Sequence, residues 1–239
     1  MNLEPLNQKK LFGHNEEFNK LISLYKKNRL PNKILFSGEK GIGKSTIAYH
    51  LINYILSLDE DNSYDLKNFE INSENKSFKL THNKSNPNFY LIDVIEERKK
   101  IDINQIRNLI NNLNKSSFNL KPRFVLIDNI DFLNVSSINA LLKILEEPNH
   151  NINFILINNN KRVLSTLKSR CLNFKISLSY DQSIDVTNKI LKENIFDLLD
   201  KEFISNYSTP GQLIKLINFA NEVEIDLKKK SLKEFLSTF

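Results

Sequence analysis

The most specific chemistry in this chain lies in one short loop. Gly38-Glu39-Lys40-Gly41-Ile42-Gly43-Lys44-Ser45 fits the spacing G-x-x-x-x-G-K-[ST]. Small residues at these positions let successive backbone N–H groups turn inward around a polyphosphate. Lys44 would reach the outer phosphates, and the Ser45 hydroxyl would complete the shell of a Mg²⁺ ion. A helix opening at the loop adds the positive end of its dipole to the same anion. The context agrees: the apolar run Ile34-Leu35-Phe36-Ser37 precedes the loop, and an amphipathic stretch follows it. Gly38, Glu39, Lys40, Gly41, Ile42, Gly43, Lys44, Ser45 and Thr46 are therefore the candidate nucleotide-binding residues.

A magnesium carboxylate belongs on another strand. Phe124-Val125-Leu126-Ile127-Asp128 is an apolar strand ending in an acid, and Asp128 can hold Mg²⁺ opposite Ser45. Hydrolysis asks for one more group, a residue that orients or deprotonates the attacking water. In many ATPases of this type that residue is a Glu directly after the Asp. Here the position is Asn129. An amide orients water but accepts no proton, so the expectation is nucleotide binding with weak or absent intrinsic hydrolysis. Asp131 is the alternative base.

These residues need a scaffold, and apolar runs supply it. Buried strands are expected at 34–36, 89–92, 124–127, 154–157 and 172–176. Between them, Ile47, Leu51 and Ile55, then Ile103, Ile106, Ile110 and Leu113, then Ala140, Leu141, Ile144 and Leu145 recur at helical spacing. Strands alternating with helices argue for a parallel sheet covered on both faces. Residues 59–88 are polar, without sustained period, and read as an irregular insertion. Beyond 177 no strand is expected. Residues 184–199 and 212–220 look helical, the second opening after Thr209-Pro210-Gly211.

Composition sets outer limits. The chain has 239 residues, 40% of them hydrophobic, enough for a real core. It carries one Cys, which excludes a disulfide framework and a Cys-rich zinc module. There are five glycines, where average usage of about 7% would give about seventeen; three of the five lie in the phosphate loop. Residues 1–10 lack an apolar signal segment, and 47–58 are too short and too interrupted to span a bilayer, so a cytoplasmic protein without a membrane partner is expected. The formal charge of +6 is compatible with a nucleic-acid partner and does not establish one. Arg98-Lys99-Lys100 and Lys26-Lys27 read chiefly as solvated charge runs, with phosphate contacts to DNA the second reading. His14, His50, His82 and His150 show no ligand spacing.

Asn139-Ala140-Leu141-Leu142-Lys143-Ile144-Leu145-Glu146-Glu147-Pro148 resembles the helix after the Mg²⁺-binding strand of clamp-loader ATPases, and Ser169-Arg170-Cys171 resembles their arginine-finger motif. Phe12-Gly13-His14, Arg29-Leu30-Pro31-Asn32 and Asn86-Pro87-Asn88 fall in the order found in the delta-prime-like branch of that family. The resemblance covers about residues 6 to 220. It implies an α/β fold, an AAA+ P-loop NTPase core with a five-stranded parallel sheet over 1–177, followed by a small helical lid over 178–222. Residues 223–239 would begin a collar that is truncated or missing. It also implies a place beside other clamp-loader subunits in a hetero-pentamer that sets the sliding clamp on primer–template DNA. Arg170 would then act in trans on a neighbouring ATPase subunit, with ATP and Mg²⁺ as cofactors.

The chain departs from that pattern in places. The four-Cys zinc module of many clamp-loader subunits is absent, so zinc is not expected. Cys171 reads as packing. Asn158 and Asn159 stand where a polar group senses the terminal phosphate, and the resemblance does not choose between them. Gln212 follows Gly211 where the lid motif usually continues to an Arg, with Lys215 one turn on. Two other readings compete: a hydrolysing motor subunit of the same complex, gamma/tau-like, and a small-molecule P-loop kinase. The motor reading would favour Glu at 129, Arg after Gly211 and a zinc module. The kinase has no use for Ser169-Arg170-Cys171.

Overall fold

Continuous apolar runs become the strands of one parallel sheet. The computed structural model describes residues 3–95, 100–146, 151–159 and 164–237; Arg98, Lys99, Glu147, Pro148 and His150, named above, lie outside the described residues. In chain order come α1 (Asn15–Lys26), β1 (Lys33–Ser37), α2 (Lys44–Leu56), α3 (Lys76–His82), β2 (Phe89–Ile92), α4 (Ile103–Leu113), β3 (Arg123–Ile127), α5 (Val135–Glu146), β4 (Ile152–Asn158), α6 (Ser165–Lys168) and β5 (Leu172–Lys175). Then follow α7 (Tyr180–Leu191), α8 (Ile195–Leu198), α9 (Lys201–Ile204), α10 (Pro210–Glu222) and α11 (Leu232–Leu236). The sheet order is β2-β3-β4-β1-β5, all neighbours parallel. This is an α/β core with the five-stranded parallel sheet that the resemblance implies.

Strand position explains strand composition. β3 is buried along its whole length, and β1 and β4 nearly so, because helices cover both faces. β5, at the edge, is largely exposed, and Ile176 just past it is buried instead. Two clusters fill the two faces. One gathers Phe36, Ile47, Leu51, Ile55 and Leu126; the other gathers Leu35, Ile106, Val125, Leu141 and Leu145. In α4 the buried face is Ile106, Leu109 and Leu113, so Leu109 takes a place the spacing had given to Ile110, which is only partly buried.

The segment 59–88 is not irregular throughout. It contains α3 and delivers Tyr64, Ile71 and Phe78 to the first cluster. Seven residues are too few to display a helical period. The helix is held by distant partners: Asn75 caps it by accepting from Phe78 N at 2.6 Å, and the amides of Asn75 and Asn53 exchange hydrogen bonds at 3.0 and 3.2 Å.

Past 177 the helical reading needs a break. α7 stops at Leu191 because Lys192 takes a left-handed conformation (φ 60°), and α8 is separate. Ile184, Ile195, Phe203, Leu213 and Ile217 form a third cluster, which Leu227 and Phe235 join. The segment after 222 thus packs on the helices before it. No helix among the described residues is long and apolar enough to cross a membrane.

Candidate nucleotide site

The cleft sits at the carboxyl ends of β1, β3 and β4. Its volume is about 260 Å³, and the phosphate loop from Lys40 to Thr46, Asp128, Asn129 and Asn159 supply its polar wall. Phe12, Val186, Ile190 and Ile214 line the apolar side. Gly43 closes the loop at φ 97°, a left-handed value that glycine adopts without a Cβ penalty, and α2 begins at the next residue.

The loop's charge is folded inward. Lys44 Nζ donates to Gly38 O at 2.8 Å and to Glu39 O at 2.5 Å. Burial pushes its ammonium down to about 8, although Asp128, Asp131 and Glu39 pull the other way. Ser45 Oγ donates to Asp128 Oδ2 at 2.6 Å, so the two oxygens assigned to Mg²⁺ are in contact. Burial raises the carboxyl pKa of Asp128, and nearby Asp93 adds to this against the donors Ser45 and Asn129 N. The pair fits a magnesium ion: both are hard oxygens at the mouth of a phosphate loop, and a cation there would relieve the crowding of Asp128 and Asp93.

Asn129 is held at both ends of its amide. It sits at φ 55°; its Nδ2 donates to Asp93 Oδ1 at 2.7 Å, and its Oδ1 accepts from Asn159 Nδ2 at 2.7 Å. Asp131 accepts from the backbone N of Asn159 at 2.8 Å and is not among the cleft-lining residues. Of the two candidate sensors, Asn159 lines the cleft, whereas Asn158 is 2% exposed at the end of β4, paired with Ser37. Lys215, on the exposed face of α10, also lines it.

His14 is a site residue that spacing could not reveal. It is buried and lines the cleft, and its Nε2 lies 2.6 Å from Ile42 O. A carbonyl only accepts, so Nε2 carries the proton. Nδ1 is then an acceptor, with no partner among the described residues. Burial lowers the pKa of this ring, the main cause of its shift.

Arg170 lies outside the cleft. Its Nε donates to Glu146 Oε1 at 2.9 Å, its Nη2 to the same oxygen, and its Nη1 to Thr166 O at 3.0 Å and Ser169 Oγ at 3.2 Å. The guanidinium thus links the end of α5 to α6, away from this chain's own phosphate loop. Cys171 is buried immediately before β5, and burial pushes its thiol up to about 11, as packing requires.

A family model described as "DNA polymerase III, delta subunit" matches residues 13–179. The DNA polymerase III subunit delta' of Buchnera aphidicola subsp. Schizaphis graminum is 29% identical over 92% of this chain and 64% of its own. The DNA polymerase III subunit gamma/tau of Mycoplasma genitalium is 28% identical over 98% of this chain and 35% of its own. The chain therefore spans about a third to two thirds of the length of these relatives. Among solved structures, a DNA polymerase III gamma subunit-related protein of Thermotoga maritima superposes with TM-score 0.53 at 18% identity, over 85% of this chain and 60% of the other. The RuvB Holliday junction branch migration motor of Thermotoga maritima gives 0.52 at 16%, over 98% and 72%. These two likenesses concern the fold alone.

Proposed function

The chain belongs to the DNA polymerase III delta-prime/clamp-loader family, and from that membership we propose that it is a delta-prime-like clamp-loader subunit in DNA replication. In this reading it binds ATP weakly or structurally and gives Arg170 to a neighbouring ATPase subunit. Its partners are the other subunits of a hetero-pentamer, the sliding clamp and, through the complex, primer–template DNA.

The observation that carries the reading is a phosphate cradle whose water position is disarmed. The loop, Lys44 and the Ser45–Asp128 pair suit a nucleoside triphosphate with its metal. On binding, Lys44 would exchange the carbonyls of Gly38 and Glu39 for phosphate oxygens. Mg²⁺, held by Ser45 and Asp128, would neutralise phosphate charge. Yet the amide of Asn129 accepts no proton, and both its ends are engaged, by Asp93 and by Asn159. Binding without turnover follows.

A guanidinium on the transferring phosphoryl group offsets charge that develops there. For Arg170 to do this it must leave Glu146, and their half-exposed ion pair (33% and 54%) is weak enough to yield. The gamma/tau relative that matches 98% of the chain favours a second reading, a hydrolysing motor subunit. Steady-state ATPase assays of the chain alone, then with a motor subunit, clamp and primed DNA, separate the two. The delta-prime-like reading expects no turnover from the chain alone and stimulation only in the mixture. Brisk turnover by the isolated chain selects the motor reading.

A further inference from the structure

Two of the five glycines are in direct contact at the edge of the cleft. Gly41 belongs to the phosphate loop, and Gly211 is the second residue of α10. The N–H of Gly211 donates to Gly41 O at 2.9 Å, and Thr209 Oγ1 donates to Lys40 O at 2.8 Å. There is no room for a side chain on either glycine. A Cβ on Gly41 would lie 2.7 Å from Thr209 Oγ1 and 3.2 Å from Gly211 Cα; one on Gly211 would lie 2.7 Å from Gly41 Cα and 2.9 Å from its oxygen. Gly41 also needs its positive φ of 85°. The next carbonyl along, Ile42 O, accepts from His14 Nε2 at 2.6 Å.

Three consecutive loop carbonyls, those of Lys40, Gly41 and Ile42, are thus held by Thr209, Gly211 and His14, which lie beside the loop at the edge of the cleft. A trans peptide unit points its C=O and the following N–H in opposite directions. Fixing these oxygens on their three partners therefore turns the N–H groups of Gly41, Ile42 and Gly43 away from those partners, and all three residues line the cleft. Successive N–H groups turned to one side are what a phosphate needs.

We propose that Thr209, Gly211 and His14 are positioning residues that brace the phosphate loop in its anion-binding form before any nucleotide arrives. This rests on reading the cleft as a nucleotide site. Because α10 and its N-cap Thr209 supply two of the three braces, attachment of that helix to the loop and binding of a nucleoside triphosphate's outer phosphates are linked, and each strengthens the other. The departure at Gln212 is then compensated: α10 serves the phosphates through the loop.

The test uses the full chain with Gly211→Ala, Thr209→Val and Thr209→Ser. Calorimetry reads the affinity for ATP with Mg²⁺, and amide hydrogen exchange reads loop residues 38–46 without nucleotide. The brace predicts that Gly211→Ala and Thr209→Val weaken ATP binding at least about tenfold and speed loop exchange, and that Thr209→Ser restores both. Alanine is the better helix former, so a Gly211 that serves α10 alone predicts a firmer helix with unchanged affinity and exchange. That result, or a Thr209→Ser variant as impaired as Thr209→Val, overturns the proposal. Should the unaltered chain bind no ATP, the nucleotide reading falls. Loop exchange then decides the brace: faster in Gly211→Ala upholds it, unchanged refutes it.

Discussion

Lys44 is the only cation buried in the phosphate loop, and its pKa of about 8 has a consequence for binding. As pH rises through 8 the ammonium loses its proton and the loop loses its charge for the phosphates. The dissociation constant for MgATP is expected to rise by up to about tenfold per pH unit above that point, while Lys44→Ala binds weakly at every pH. Titration calorimetry at pH 7, 8 and 9 checks this. His50 carries a second pH effect. It is enclosed between Tyr64 Oη at 2.7 Å and Gln8 O at 2.9 Å, and burial lowers its pKa from 6.5 to about 4. Between those values the unfolded chain binds a proton that the folded chain refuses, so stability falls as pH drops from 6.5 to 4, by on the order of 3 kcal/mol. His50→Gln should flatten this part of a denaturation profile. Asn129 gives a third prediction. A Glu there would face Asp93 and Asp128, so Asn129→Glu alone should cost about 1–3 kcal/mol. Adding Asp93→Asn should recover the loss in a double-mutant cycle, because an amide–carboxylate pair is restored with the roles exchanged. On the proposed reading the same double variant should also turn over ATP faster than the unaltered chain.

At the scale of elements, the difference between what could and could not be read lies in the range of the stabilising contacts. β1, β3 and β4 were legible because strands buried on both faces must be continuously apolar, and Ile34-Leu35-Phe36 and Phe124-Val125-Leu126-Ile127 are. The phosphate loop and Asp128 were legible because their chemistry prescribes spacing within one segment, or residue type at a strand end. α3 was not, since its cap Asn75 is secured by Asn53, 22 residues earlier. His14 was visible only as part of Phe12-Gly13-His14; its contact with the loop was not, because its partner Ile42 lies 28 residues away. Gly211 could be counted in the sequence, but its contact with Gly41 exists only once α10 meets the loop. Packing of α2 on the sheet makes a separate prediction: Leu51, fully buried, should cost about 2–5 kcal/mol when changed to Ala, read by urea denaturation. Arg170→Ala removes only a half-exposed pair and should change stability by about 1 kcal/mol or less.

For the whole molecule, the proposed function divides labour between two places. The cleft has a glycine loop, the Ser45–Asp128 pair proposed for a metal, and an apolar wall, while among the described residues the position after Asp128 holds the amide of Asn129, engaged by Asp93 and Asn159. Arg170 stands outside that cleft, paired to Glu146 and half exposed. A chain built this way suits holding nucleotide in one site and serving the nucleotide of a neighbour with the other. The steady-state ATPase rate of a clamp-loader complex assembled with either the unaltered chain or Arg170→Ala, in the presence of clamp and primed DNA, tests this most directly. The account predicts an assembled complex whose turnover at the neighbouring site falls by about 10³-fold or more; an equally assembled complex with unchanged turnover would contradict it.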